Sequence, residues 1–470
     1  MDHRFEMLID GEAVPGAGTF GVFNPATGEV FAQCPKADAA QLDAAVRAAR
    51  RAFPGWAATP IAERGRLVAE VADRIAQRID EFAALLTREQ GKPLDQARGE
   101  MLGTVNVLRT IAAMRHEPRE ILDDGGKRVM EYRKPLGVVA AIVPWNFPVI
   151  LMANKFAPAL VTGNTIVIKP APTTPLTALL FAEVCREVIP RGVVNVICDE
   201  NDLGHLLTAH PEVNKISFTG STQTGRKVMA SAGEGLKRVT LELGGNDASL
   251  VLDDVDPVET ARQVFNGAMR NAGQICVAIK RVYVPDALYD EFCDELARLA
   301  SEAVVDDGAR QGAQIGPLQN RQQFEKVAKL IEDTRAVGTI IAGGAPLDRP
   351  GYFIPPTIVR DIPDDAPLVR EEQFGPVLPV IRYSDIDSLI ARVNDTPYGL
   401  GGTIWSRDID RATQIALRID TGTVWINQIT AIDPRIPFRG AKQSGIGVEG
   451  GLAGFEEYTQ AQVISVAIPA

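Results

Sequence analysis

The sequence predicts an α/β protein: a doubly wound parallel sheet, a second α/β domain after it, and two strand-like segments that belong to neither. Three observations carry this. Short β-branched runs, VVAAIV at 138, TIVIK at 165, VVNVIC at 193, KISFTG at 215 and VTLEL at 239, recur every 22 to 28 residues. Helical patterns such as TPLTALLFAEVCREV (174–188) and STQTGRKVMASAG (221–233) fill the intervals, and that order implies right-handed crossovers and parallel strands. A second alternation follows residue 276: RVYV (281–284), the charged helix LYDEFCDELARLASEA, IIAGGA, EEQFGPVLPV, and GTVWIN at 422.

Taken in order, the chain opens on a short β-like lead-in. Residues 38–53 then place Leu42, Ala45, Val46, Ala49 and Phe53 at helical intervals, and the same periodicity runs on to Gly91. In a doubly wound sheet, ligands bind beyond the carboxyl ends of the strands. PWNFP (144–148), KPAPTTP (169–175), FTGST (218–222) and LELGGN (241–246) fall there. RVMEYRKP (128–135) and the terminal VISVAIPA have strand composition, and either could supply an exposed edge for subunit pairing.

Composition narrows the function. With 46% apolar and 23% charged residues, the 470-residue chain has the balance of a globular protein of two or three domains. Its 49 basic against 60 acidic residues give a net charge of −11, which offers no attraction to nucleic acid or an anionic membrane. The longest charge-free apolar stretch is broken by Pro144, Asn146 and Pro148 and does not read as a membrane span. The first twenty residues carry Asp2, Arg4, Glu6 and Asp10 and lack the apolar core of a secretory signal. Five cysteines (Cys34, Cys185, Cys198, Cys276, Cys293), none in a CxxC pair, fit reduced thiols in a cytoplasm. They form no metal-ligand spacing with His3, His116, His205 and His210, so no metal is expected.

Three residues suggest chemistry. Cys276, in NAGQICVAIK, is either a packing residue or a nucleophile, and as a nucleophile it must be helped to ionise. Glu242, at the end of VTLEL and followed by two glycines, can project into a crevice. The Asn146 amide, in PWNFP, can donate to a developing oxyanion.

Together these segments resemble the aldehyde dehydrogenase superfamily, over essentially the whole chain and in the family's order. PWNFP, KP at 169–170, FTGST, LELGGN, GQIC at 273–276, EEQFGPV at 371–377 and SGIG at 444–447 carry the resemblance. It implies that Cys276 attacks a small-molecule aldehyde, that Asn146 and the Cys276 N–H hold the oxyanion, and that hydride passes to NAD or NADP. It further implies that Glu242 activates the water that hydrolyses the thioester, which sets the chain apart from the branch that acylates coenzyme A. Glu449 and Lys155 match a proton relay, with an acidic cap as the competing reading of Glu449. Pro144, Trp145, Lys169, Pro172, Gly220, Ser221, Glu372 and Phe374 match the coenzyme contacts. Phe147, Leu151, Asn154, Ile275, Val277 and Phe438 match the substrate pocket, whose apolar character suits a hydrophobic aliphatic or aromatic aldehyde.

The resemblance also implies a coenzyme-binding domain in residues 1–115 and 136–244, a catalytic domain in 245–445, and an oligomerisation element in 116–135 and 458–470 that makes a homodimer or homotetramer. Pro172 stands where NAD-preferring members commonly carry a glutamate, while Asp199, Glu200 and Asp202 disfavour an added phosphate. The balance leans to NAD with NADP accepted. Arg439 stands where many members have glycine, with no assigned effect. Two other classes compete with the dehydrogenase: a cysteine-dependent esterase, and an inactive scaffold protein with the same fold.

Overall fold

A computed structural model describes residues 4–468, so Asp2, His3 and the last two residues of the terminal segment lie outside the described residues. The first sheet has eight strands, in the order Gly445–Ile446, Arg238–Glu242, Val213–Thr219, Val138–Ile142, Thr165–Lys169, Val194–Val196, Met7–Ile9, Glu12–Val14. The five middle strands are parallel, as the recurring β-branched runs predict. Both edges are antiparallel, which the sequence reading did not anticipate: Met7–Ile9 pairs with Val194–Val196 and with its own hairpin partner, and Gly445–Ile446 caps the other side.

Seven strands form the second sheet: Thr339–Ala342, Thr357–Arg360, Val377–Tyr383, Arg281–Pro285, Ala248–Val251, Gly401–Trp405, Thr423–Ile426. Each sheet is covered by helices and has its own core, one built from residues between Met7 and Leu243 with Phe455 and Tyr458, the other between Ala248 and Ile415. A small apolar cluster of Ile275, Val277, Ala278, Leu400 and Trp425, with Phe147, Cys276 and Phe438 against it, lies apart from both.

Helix Ala39–Ala58 begins with a capping box, Asp38 accepting from the Gln41 N–H at 2.8 Å while the Gln41 side chain accepts from the Asp38 N–H. It buries Leu42, Ala45, Val46 and Ala49 as the periodicity requires, with Phe53 half-buried. Helix Ile79–Gln90 ends at Gly91, whose φ of +96° is the left-handed stop that glycine allows.

The third sheet corrects one expectation. Lys127–Pro135 is its middle strand, paired antiparallel along its whole length with Thr459–Ala467 and on the other side with Arg119–Asp123. Residues 128–131 are paired on both sides and offer no edge, residues 132–135 have no register partner in Arg119–Asp123, and the outer edges of the sheet belong to the two flanking strands.

Helices Ile61–Gln77 and Leu94–Ala112 pack closely enough that a Cβ on Gly65 would sit 2.3 Å from the Ala112 carbonyl oxygen. Gly65→Ala is therefore expected to cost about 1–3 kcal/mol, read as a lowered urea midpoint with an unchanged slope.

Candidate active site

The first sheet ends abruptly at Glu242. Thr219 and Gly445 flank it in register, the Gly220 N–H donates to its carbonyl at 3.0 Å, and the chain then turns through Leu243–Asp247 into the second sheet. This turn has no room for side chains: a Cβ on Gly244 would lie 2.4 Å from Glu372 Oε2, and one on Gly245 would lie 2.8 Å from the Cys276 carbonyl oxygen. Glu242 is buried, and neither of its carboxyl oxygens has a hydrogen-bond partner. Burial, then repulsion from Glu449, raises its carboxyl well above the usual range, with Lys155 opposing.

Helix Pro148–Val161 presents Leu151, Asn154 and Lys155 on one face, at spacings of three and four residues. Lys155 is fully buried, donating to Thr219 Oγ1 at 2.7 Å and pairing with Glu449. Glu449 is fixed by a two-way backbone bridge to Phe438, its N–H donating at 2.9 Å and its carbonyl accepting at 2.7 Å.

The turn that carries Asn146 is held from behind by a buried ion pair. Lys92 Nζ lies 2.5 Å from Glu100 Oε2, donates to the Asn146 carbonyl at 2.9 Å and sits 3.7 Å above the Phe147 ring. Glu100 Oε1 accepts from the Val149 and Ile150 N–H groups at the start of helix Pro148–Val161. The Asn146 amide donates to the Gln274 carbonyl at 3.0 Å, leaving its second hydrogen for a ligand. The loop to Cys276 passes through three left-handed residues in a row, Asn271 (φ +52°), Ala272 (φ +53°) and Gly273 (φ +71°). For Ala272 this conformation costs about 1–2 kcal/mol, and hydrogen bonds from Asn271 to the Asn146 and Gln274 carbonyls hold the elbow in place.

Cys276 is part-exposed, whereas the other four thiols are buried. Burial of its sulfur pushes the thiol up to about 12, against the pull of Lys280 and with Asp247, Glu372 and Glu242 adding to the rise. One cavity of about 300 Å³ is lined by Cys276, Glu242, Asn146 and Glu449 together with Phe147, Leu151, Asn154, Ile275, Val277 and Phe438. Asn154 thus faces the cavity, and exposed Arg439 does not line it. Arg270 also lines it, exposed and with no ion pair among the described residues. No described group of histidine, cysteine and acidic residues could hold a metal ion, and no helix is long and apolar enough to cross a membrane.

Of the residues expected at a dinucleotide, Pro144, Trp145, Lys169, Pro172, Gly220 and Ser221 sit at or follow the carboxyl ends of first-sheet strands, Glu372 and Phe374 approach them from the segment before strand Val377–Tyr383, and their chemistry fits a dinucleotide. Ser221 caps helix Thr222–Glu234 by accepting from the Thr224 N–H, leaving the Thr222 and Gln223 N–H groups without acceptors among the described residues. A helix start of that kind favours a pyrophosphate. Trp145, next to Pro144, meets Phe374 edge-on at 5.3 Å. Glu372 Oε1 accepts from the Gly245 N–H at 3.0 Å. Lys169 Nζ lies 2.5 Å from buried Asp199, whose second oxygen accepts from the Leu203 N–H, while Lys36 binds Glu200 and Asp202. Pro172 is half-buried and contributes no charge.

Sequence reasoning missed Lys92, Glu100, Lys280 and Arg270. Only the rule that a buried charge must find a partner pointed toward the first three, and it says nothing of which lysines are buried.

Residues 14–464 match the model of the Aldehyde dehydrogenase family. The chain is 38% identical to the putative aldehyde dehydrogenase DhaS of Bacillus subtilis, covering 98% of this chain and 95% of the relative. It is 37% identical to the succinate-semialdehyde dehydrogenase [NADP(+)] GabD of Escherichia coli, covering 99% and 98%. Its fold superposes on the NAD+ complex of an aldehyde dehydrogenase from Bacillus cereus with a TM-score of 0.97 at 37% identity, over 100% of this chain and 97% of that one.

Breaking the Lys92–Glu100 pair tests the support of the Asn146 turn. Lys92→Met leaves a buried carboxylate uncompensated and is expected to cost about 3–5 kcal/mol in urea denaturation. Replacing both partners with apolar residues is expected to recover most of that loss.

Proposed function

The chain belongs to the aldehyde dehydrogenase family, and on that premise we propose that Cys276, Glu242 and Asn146 oxidise a hydrophobic aliphatic or aromatic aldehyde to its carboxylic acid. The enzyme is an NAD(P)-dependent aldehyde dehydrogenase. One observation carries the assignment of residues: a part-exposed thiol, an unpartnered buried carboxyl and a half-used amide converge on one largely apolar cavity.

Cys276 Sγ adds to the aldehyde carbon, and the carbonyl π pair moves onto oxygen, where the Asn146 amide and the Cys276 N–H receive it. NAD(P)+, which Lys169, Ser221, Glu372 and Phe374 would hold, would supply the hydride acceptor for the thiohemiacetal. Glu242, its oxygens free of protein donors, takes a proton from the water that attacks the thioester. The acid departs and the Cys276 sulfur is regenerated. Lys155 and Glu449, linked to each other and to Thr219, carry the proton onward.

NAD is the favoured coenzyme, with NADP accepted. The support is Asp199, whose carboxylate already occupies Lys169 and would face an added phosphate with like charge. Subunits pair through the third sheet, whose flanking strands expose Ile121, Leu122, Val463, Ile464 and Val466. A second substrate reading rests on Arg270. As the unpaired described cation in the cavity lining, it would suit an aldehyde ending in a carboxylate, the kind of substrate that GabD is named for.

A panel of alkanals, benzaldehydes and carboxy-terminated aldehydes, run with each coenzyme, separates these readings. Turnover of at least one aldehyde, abolished in Cys276→Ala, is expected. A rate highest on carboxy-terminated aldehydes and lost in Arg270→Gln would favour the second reading.

The raised carboxyl of Glu242 sets a pH dependence. The base works only when deprotonated, so thioester hydrolysis is expected to climb with pH through a midpoint above the ordinary carboxylate range and then level off. In Glu242→Gln that limb disappears. Pre-steady-state absorbance should then show a burst of about one reduced coenzyme per site, followed by turnover slowed roughly 10²- to 10⁴-fold.

A further inference from the structure

Lys280 belongs to none of the family segments quoted above, yet it touches the nucleophile loop more closely than any other charged side chain. It is 2% exposed. Its Nζ donates to the Cys276 carbonyl at 2.6 Å and to the Ile275 carbonyl at 2.9 Å, with the Ala278 carbonyl at 3.5 Å and Glu372 Oε1 at 3.8 Å. Its own backbone is pinned as well: the Lys280 N–H donates to the Asp247 carbonyl at 3.0 Å, and the Lys280 carbonyl accepts from the Gln373 amide at 2.7 Å.

The planarity of the peptide bond gives these contacts a directional consequence. In a trans peptide the N–H points opposite to the carbonyl of the preceding residue. Holding the Ile275 carbonyl on Lys280 therefore turns the Cys276 N–H away from Lys280. No described residue accepts from that N–H, so it stands as an unused donor beside Cys276 Sγ. The Asn146 amide reaches the same loop one residue earlier, at the Gln274 carbonyl. Without the ammonium, the Ile275 and Cys276 carbonyls would be left as a crowded pair of partial negative charges beside Glu372 and Asp247, and peptide rotation would relieve the crowding.

We propose that Lys280 is a positioning residue of the oxidation: by gathering the Ile275 and Cys276 carbonyls onto one buried ammonium, it aims the Cys276 N–H at the developing oxyanion and sets a fixed positive charge behind the thiolate. Of the charged groups that act most strongly on Cys276, namely Lys280, Asp247, Glu372 and Glu242, Lys280 is the one cation, while Arg270, Glu100, Asp433 and Glu449 line the same cavity. Lys280 offsets the disfavour of those three strongest acids for the thiolate. The inference rests on Cys276 being the nucleophile of the proposed reaction, and it adds the group that holds the nucleophile in its working orientation.

The test is alkylation of Cys276 by iodoacetamide, in which the thiolate sulfur displaces iodide from carbon, followed against pH in the full-length enzyme. Cys276→Ala supplies the background from the buried thiols. Below the thiol's midpoint the logarithm of the rate rises linearly with pH, so a change in acidity appears as a displacement of the line. Lys280→Met removes both charge and donors, and its line is expected to move to higher pH by about one unit or more. Its kcat should fall roughly 100-fold, as for the loss of an oxyanion donor, with KM for the aldehyde nearly unchanged. Lys280→Gln keeps amide donors for the carbonyls without the charge. It should show the same displacement with a smaller loss of kcat, and it carries the test if the methionine variant fails to fold. Lines that overlay the wild type in the folded variants, or a loss of kcat matched by a rise in KM, overturn the proposal. An enzyme that oxidises no aldehyde would instead sink the dehydrogenase assignment of these residues, while the alkylation lines would still judge Lys280.

Discussion

The cavity depends on one constraint: the Glu242 carboxyl is taken out of water and given no hydrogen-bond partner. Leaving a buried polar group unsatisfied costs about 1–3 kcal/mol, and the strand that ends at Glu242 is itself paired on both sides, with Thr219 and Gly445. Had backbone N–H groups reached those oxygens, they would have stabilised the anion and weakened the base. The neighbouring cation is placed with the same economy. Lys155 is spent on Glu449 and Thr219 rather than on Glu242. Glu242 therefore keeps its affinity for a proton, and the pair beside it keeps a route for that proton to leave.

That constraint determines how the two sheets meet. The chain leaves the first sheet at Glu242 and enters the second at Ala248, and the glycines between them lie so near Glu372 and the Cys276 carbonyl that no side chain fits. The nucleophile arrives over this turn from a separate direction, through the left-handed elbow at Asn271–Gly273. Strain in that elbow persists because Asn271 and Gln274 tie its amides and carbonyls to Asn146 and to Gln319. Thiol, amide and carboxyl thus come from three segments, and each is fixed by main-chain contacts to the next.

Much of this was legible in the sequence, for identifiable reasons. The parallel strands announce themselves because a strand buried on both faces reads as a continuous apolar run rich in valine and isoleucine, as in TIVIK and VVAAIV. Strands Ala248–Val251 and Gly401–Trp405 do not. Ala248 and Ser249 are small, and Gly401 has no side chain because a Cβ there would sit 2.4 Å from Asp247 Oδ2. Close packing removed the very residues that mark a strand. The antiparallel edges were illegible because three-residue strands such as Met7–Ile9 are too short to show a period. Cys276, Glu242 and Asn146 could be read from the segments around them. Lys92 and Glu100 could not, since they find partners in the Asn146 turn through tertiary contacts that no local spacing encodes. Lys280 lies only four and five residues from the carbonyls it binds, but nothing in the pattern says that the loop between them closes on its ammonium.

Those hidden residues share a pattern that bears on how the site works. Of the buried lysines around the cavity, Lys92 and Lys280 donate to main-chain carbonyls of Asn146, Ile275 and Cys276, the peptides next to the oxyanion donors. Neither points its charge into the cavity lining, where Arg270 stands exposed instead. In a chain with eleven more acidic than basic residues, burying cations behind the catalytic peptides orients those peptides and balances the acids the reaction needs. A lysine facing the cavity would have paired with Glu242 and lowered its basicity. Placing positive charge behind the backbone, one peptide away from the reacting atoms, reconciles a strong buried base with an ionisable thiol in the same apolar cavity.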